Sequence, residues 1–229
     1  MTGDEAIFRP ATFAFLRDLR EHNDREWFQA NKSRYTQHVL EPALEFIRRF
    51  APELQRIGPH FQAVAKPVGG SLFRIYRDTR FSPDKTPYKT HVGIHFRHEE
   101  SKNAHAPVYY LHLEPGDCFV GVGIWRPDTA TAQQIRQAIV AKPQVWKRAV
   151  GGKFQRIYQL SGDSYKRPPA DVDPEHPLIA DLKRKSFIGM APLTQRSVTS
   201  PAFVGEFAGM CRAGGPLVRF LCEALGVPF

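Results

Sequence analysis

Apolar positions change period twice along the chain. Phe13, Leu16 and Leu19, with Phe15 alongside, recur at helical spacing and predict a first helix that stops at Glu21-His22-Asn23. A second helix is expected from Asn23, read as the N-cap with Glu26 as its capping-box partner, and Trp27, Phe28 and Tyr35 form its apolar side. Pro42 suits the first turn of a further helix, where its missing N–H costs nothing. That helix carries the stripe Leu44, Ile47, Phe50, Leu54 and Ile57, with Pro52 as a kink and Gly58-Pro59 as its end.

Beyond residue 60 the pattern shifts to alternation. Strands are expected over Phe61–Lys66, Ser71–Tyr76, His91–His98, Pro107–Glu114 and Cys118–Trp125. Within Ser71–Tyr76, Phe73 and Ile75 oppose Arg74 and Tyr76. Gly69-Gly70 reads as a turn, residues 77–89 as a polar, proline-marked loop, and Pro115-Gly116-Asp117 as a hairpin connection.

The last third returns mostly to helical spacing. Thr131–Ala141 and Pro143–Val150 read as helices, and Lys166–Pro177 as a long polar loop. Ser186–Pro192 rejoins the sheet. Ser200-Pro201 starts a helix that runs to about Cys211, and another spans Pro216–Leu225, stopped by Gly226. Helices at both chain ends around hairpin-joined strands predict an α+β fold, a mainly antiparallel sheet flanked by helices, in a single domain of 229 residues.

Composition narrows the function class. No run approaches the roughly 20 apolar residues of a membrane helix, and the N-terminus lacks an apolar signal core, so a cytoplasmic protein with no membrane partner is expected. Cys118, Cys211 and Cys222 are widely spaced, which argues against a disulfide framework or a structural zinc site. The 32 Lys and Arg against 23 Asp and Glu leave a formal charge of +9. Such a charge fits either a solvated cationic surface or attraction to phosphates.

The cations concentrate in one segment. Arg74, Arg77, Arg80, Lys85 and Lys89 stand among Asp78 and Asp84 as the only acids, with Tyr76, Thr79, Ser82, Thr86 and Tyr88 interleaved. Guanidinium forks grip phosphate in bidentate fashion, lysine adds a point charge, and the preceding glycine pair can present backbone N–H groups to an anion. The spacing is not that of a Walker A loop. The alternative is a salt-bridge network in which Arg77-Asp78 and Asp84-Lys85 pin the loop to the core.

These residues also carry a resemblance. Residues 71–82 (SLFRIYRDTRFS) and 84–89 (DKTPYK) resemble the hallmark of a conserved-hypothetical family of bacteria and fungi, domain of unknown function 2461. Arg25-Glu26-Trp27-Phe28 with Asn31-Lys32 is similar to its N-terminal motif. Tyr109–Gly116 and Gly123-Ile124-Trp125-Arg126-Pro127 are similar to its hairpin, and His176-Pro177, Leu182-Lys183 and Lys185-Ser186-Phe187 to its late motif. The resemblance spans almost the whole chain and implies no activity. After Arg167-Pro168-Pro169 the family pattern continues Lys-Gly-aromatic, where this chain has Ala170-Asp171-Val172.

Other chemistry-bearing groups lie on the strands. His112 and Glu114 share one strand face, as do His91 and His95 on the neighbouring strand. A His/His/Glu cluster could hold a divalent ion or move protons, but hydrogen-bonding histidines on a half-exposed sheet are the commoner case, and no metal or cofactor is assigned. Trp125, Tyr109 and Tyr110 add aromatic surface, one of the two tyrosines facing the core. Asp171, Asp173, Glu175 and His176 read as a solvated loop cluster, and GxSxG is absent. The favoured expectation is a binding module for a phosphate-bearing ligand, nucleic acid or nucleotide-like. Arg74, Arg77, Arg80, Lys85 and Lys89 would meet phosphate, with Tyr88 and Trp125 stacking. The alternatives are an enzyme on an anionic substrate with His91, His112 or Glu114 moving protons, and an interaction protein for an acidic partner.

Overall fold

Helix α1 (Pro10–Glu21) buries Phe13, Phe15, Leu16 and Leu19, the stripe its spacing predicts. Next comes α2 (Arg25–Ala30), whose N-cap is Asp24 rather than Asn23: the Asp24 carboxylate accepts the Trp27 N–H at 2.8 Å. A short α3 (Lys32–Tyr35) runs through one π turn (Thr36–Leu40) into α4 (Glu41–Ile57), with the Glu41 N–H reaching back five residues to the Thr36 carbonyl. Pro42 has no N–H to give and would crowd the carbonyl four residues back, and the wider turn relieves both demands. These coordinates are a computed structural model, and they describe residues 5–102, 106–170 and 172–229.

The sheet holds six antiparallel strands in the order β1-β2-β3-β4-β6-β5. They are β1 (Phe61–Gln62), β2 (Val92–His98), β3 (Val108–Glu114), β4 (Asp117–Ile124), β5 (Gln159–Ser161) and β6 (Phe187–Leu193). Gly116, at φ 87°, makes the β3–β4 turn without the strain a side chain would meet there. Register pairs Gly93 with His112 and His95 with Tyr110 across β2–β3, and His112 with Phe119 across β3–β4.

Two expected strands shrink. Of Phe61–Lys66 only two residues pair. Ser71–Tyr76 forms no ladder: it touches the edge of β2 at one bridge, Leu72 with Ile94, then leaves to bridge Tyr76 with Tyr88. Its facing also differs from simple alternation. Leu72 and Ile75 are buried, whereas Phe73 lies over Gly93 on the far face of the sheet, where an added Cβ at residue 93 would sit 2.6 Å from its ring.

Helices cover one sheet face. α5 (Thr129–Ala141), α6 (Pro143–Val150) and α7 (Gly152–Ile157) follow β4, and short α8 (Ile179–Leu182) and α9 (Gln195–Val198) flank β6. The C-terminal α10 (Phe203–Ala224) is one helix, not two, and Pro216 lies inside it. Its Phe207 meets Phe50 of α4 at 4.8 Å, and Phe50 meets Phe96 of β2 at 4.7 Å. Gly214 lets α10 settle on β4, since a Cβ there would come 2.8 Å from Val122. Burial of this long apolar face outweighs the one backbone bond that Pro216 removes. No helix among the described residues is long and apolar enough to cross a membrane.

Tyr109, Leu111 and Leu113 of β3 point into this helical core and are fully buried, which makes Tyr109 the inward tyrosine. The alternate residues Tyr110, His112 and Glu114 therefore project from the opposite face.

Candidate functional site

The cation-rich loop is fastened at both ends. Arg77 N–H bonds the Pro87 carbonyl and Lys89 N–H the Ile75 carbonyl, which closes residues 77–87 like a hairpin. On its other side Tyr88 pairs with a side chain: Asn23 donates to the Tyr88 carbonyl and accepts the Tyr88 N–H, both at 3.0 Å. The Asn23 carboxamide thus acts as a one-residue strand. The Tyr88 ring is only 2% exposed and stacks on Phe28 at 4.1 Å, so it anchors the loop in the core and has no face left for a ligand.

Each cation of the loop has a local partner. Arg77 binds the Asp84 carboxylate and the Thr86 hydroxyl. Arg80 grips Asp78 through two bonds, at 3.0 and 2.7 Å, and is largely exposed. Lys85 donates to the Thr79 carbonyl at 2.9 Å. Lys89 donates to the carbonyls of Arg74 at 2.6 Å and Tyr76 at 3.2 Å. The Arg80 bonds hold the exposed Asp78 carboxyl down to about 2, and bonds from Thr86 and Arg77 do the same for Asp84. Much of the segment's hydrogen-bonding capacity therefore braces the loop, but the ion pairs, Arg77 with Asp84 and Arg80 with Asp78, lie within the loop and do not tie it to the core. The charge is not all cancelled, because Lys85 and Lys89 rest on neutral carbonyls rather than carboxylates. Next to the glycine pair, the Ser71 N–H is taken by the Val64 carbonyl at 2.8 Å.

A groove of about 380 Å³ runs between this loop and the end of α1, lined by Arg20, Asn23, Arg77, Asp84, Thr86, Tyr88, Lys89, Thr90 and His91. Of the expected phosphate contacts it gathers Arg77 and Lys89. Arg74, Arg80 and Lys85 are exposed and do not line it. Trp125 is elsewhere, beyond the far end of β4, roughly 26 Å along the strand from Asp117, the cross-strand partner of Glu114. It is half exposed and lies by its neighbour Arg126. Arg20 went unnoticed in the sequence because its role depends on α1 ending beside the sheet, which no local pattern states.

The groove ends at His91, which stands against His112 and Glu114, the pair expected to share one face of β3. The donor atoms of His91, His112 and Glu114 lie within 4.8 Å of one another. The two imidazoles are 4.4 Å apart, and His112 is stacked on Phe119 at 4.6 Å. His112 Nδ1 meets the Tyr110 hydroxyl at 3.0 Å, and its Nε2 meets Glu114 Oε2 at 3.3 Å. Glu114 Oε1 accepts from Thr90 and from Arg20, both at 2.9 Å. Burial pushes His91 down to about 4; His112 and Lys89 add to this and Glu114 opposes it. Burial works to raise the Glu114 carboxyl, but the bonds from Thr90 and His112 and the nearby imidazoles bring it below its ordinary value. Tyr110 is raised to about 12 by burial and by Glu114, so its hydroxyl keeps its proton.

His95 does not join this cluster. It lies four residues along β2, edge-on to Phe73 at 4.2 Å, with Nε2 near the Gly70 carbonyl at 3.4 Å and Nδ1 taking the Arg97 Nε–H at 3.2 Å; Tyr110 is its cross-strand neighbour. Burial, then the Arg97 charge, push its pKa to about 4, with the Gly70 carbonyl opposing. The unfolded chain binds this proton near pH 6.5 and the folded protein refuses it until about 4. Stability is therefore unaffected above pH 6.5 and falls by about 3 kcal/mol as pH drops from 6.5 to 4. Urea midpoints between pH 7.5 and 4.5 should decline less steeply for His95→Gln than for the wild type; equal slopes would remove the assignment. In the loop before α8, Asp173 and His176 cap backbone N–H groups of Glu175 and Leu178. Asp171 lies outside the described residues.

Fold and site together define an antiparallel α+β protein whose open sheet face meets a cation-rich loop at a groove that ends at His91, beside His112 and Glu114. Residues 11–220 match the model of a conserved hypothetical protein family, DUF2461, and the chain belongs to that family. No curated protein and no solved structure matches it.

Proposed function

We propose that the protein binds a small phosphate-bearing molecule of nucleotide size in the groove between the α1 end and the 77–89 loop. The observation that carries this reading is the Lys89 ammonium. It is partly buried, two of its three protons go to carbonyls, and no carboxylate among the described residues pairs with it. Burial, then the Arg74 charge, lower its pKa. An incoming phosphate would take the remaining proton and supply the missing negative charge. Arg20 and Arg77, on the same walls, each bind a carboxylate and have further N–H donors to offer an added acceptor. The groove's size suits a single small ligand better than a polymer.

Calorimetric titration with nucleoside mono- and diphosphates, and with inorganic phosphate, tests the reading. Saturable binding is expected, weakened about tenfold between low and high salt because the contacts are charge pairs at a partly open site. Lys89→Met and Arg20→Ala should each lower affinity while the fold, followed by circular dichroism, persists. Binding that ignores both salt and the two substitutions would defeat the reading, as would no binding at all. A catalytic version keeps the same groove and places bond-making chemistry at its end, where His91 opens to the ligand and Glu114 stands behind Thr90 and Arg20.

A further inference from the structure

We infer that His91, His112 and Glu114 form a binding site for one divalent transition-metal ion of the zinc class. Two imidazoles and one carboxylate are the donor set of open, three-ligand zinc sites, in which a fourth position is left for water or substrate. The spacing fits. Two ligands at about 2.1 Å from a tetrahedral ion stand about 3.4 Å apart, and His112 Nε2 is 3.3 Å from Glu114 Oε2. All three donors fall within 4.8 Å, so only a small turn of the His91 ring separates the cluster from a closed shell.

The surroundings aim these donors as a metal site requires. With an ion bound, the Tyr110 hydroxyl can accept a hydrogen bond from His112 Nδ1–H, the tautomer that frees the Nε2 now bonded to Glu114 to serve as a ligand. Phe119 stacked on the other ring face holds the imidazole plane. Thr90 and Arg20 both occupy Oε1 of Glu114, which leaves Oε2 as the single coordinating oxygen. The guanidinium of Arg20 is a cost, since it repels a second cation. Its charge is directed at the oxygen the ion does not use, and His91 faces the groove rather than the core, so the fourth position opens to solvent. Only one extension, a ligand phosphate filling that position, rests on the anion-binding reading above.

The full-length protein, stripped with chelator and exchanged into chelator-free buffer, is titrated with zinc chloride by calorimetry and with cobalt chloride by visible absorption, without phosphate. One equivalent should bind, with d–d bands of a four-coordinate cobalt site. His91→Ala and the near-isosteric Glu114→Gln should each weaken zinc binding by about 100-fold or more, and Tyr110→Phe by about tenfold, through His112 orientation alone. His95→Gln, away from the cluster, should bind as the wild type does. Circular dichroism of each variant separates lost ligands from lost fold, and Glu114→Gln remains informative if His91→Ala is unstable. Absence of stoichiometric binding to the folded wild type, or equal affinity in Glu114→Gln, overturns the site. Because this titration contains no phosphate and the phosphate titration can be run on metal-free protein, failure of one leaves the other standing.

Discussion

Asn23→Asp is expected to loosen the cation-rich loop and cost the protein about 2–4 kcal/mol. The change is isosteric, so packing is preserved and only the hydrogen-bond polarity differs. In the native protein the Asn23 amide group donates to the Tyr88 carbonyl and its oxygen accepts the Tyr88 N–H. An aspartate would keep the second bond and set a carboxylate oxygen against the carbonyl at about the same 3.0 Å. A part-buried carbonyl left facing a negative charge costs more than a bond merely deleted. The loss concerns more than one bond, because Tyr88 is the residue by which the loop is stacked on Phe28 and bridged to Tyr76. Urea denaturation should show a lower midpoint, and hydrogen exchange should quicken at the amides of Arg77 and Lys89, which close the loop. An unchanged midpoint with unchanged exchange would mean that the Phe28–Tyr88 stack alone holds this segment. Asn23→Ala, which removes the bonds without adding repulsion, should fall between the two proteins.

Gly123→Ala should be more damaging still, at about 3–5 kcal/mol, a large share of the stability of an ordinary domain. Gly123 lies in β4 at φ 121°, where L side chains are strained. A Cβ there would also be driven into the Phe187 carbonyl oxygen and come 3.1 Å from the Ile188 Cα, both belonging to the backbone of the adjacent strand β6. Backbone cannot swing aside as a side chain can, so β4 and β6 would have to part locally. Equilibrium unfolding by urea, read by tryptophan fluorescence and circular dichroism, should give a collapse of the midpoint or no folded protein. A loss below about 1 kcal/mol would show that β4 relaxes into an ordinary strand conformation at small cost.

The alternating apolar pattern was enough to place β2, β3 and β4 and the turn at Pro115-Gly116-Asp117, because strands buried on one face must alternate. It also put His112 and Glu114 on one face. What it left open was the neighbour across the ladder. The His91–His112 approach depends on Gly93 pairing with His112, a register set by packing rather than by either strand alone. Long-range partners were illegible for the same reason. Asn23 lies 65 residues from Tyr88, and its side chain does what a strand would do. Asn23 and Asp24 are both good caps, so propensity could not choose between them; tertiary pairing took Asn23 and left the cap to Asp24. In α10 the run Ala213-Gly214-Gly215-Pro216 reads locally as a break, yet burial against Val122 and Phe50 keeps the helix whole. The clustering of cations between Arg74 and Lys89 was plain from sequence. Their partners were not, because a carbonyl acceptor such as that of Thr79 or Arg74 leaves no trace in residue type.

The sheet ends on one side at two-residue β1 and on the other at three-residue β5. Beside β1, Ser71 and Phe73 take hydrogen-bonding positions on the β2 edge before the chain turns away. A foreign strand would thus find very little unpaired main chain to grow on, and that growth is the usual route by which β proteins stick to one another. The broad central strands, whose apolar runs are the most prone to cross-chain pairing, are kept from any such encounter by their own neighbours.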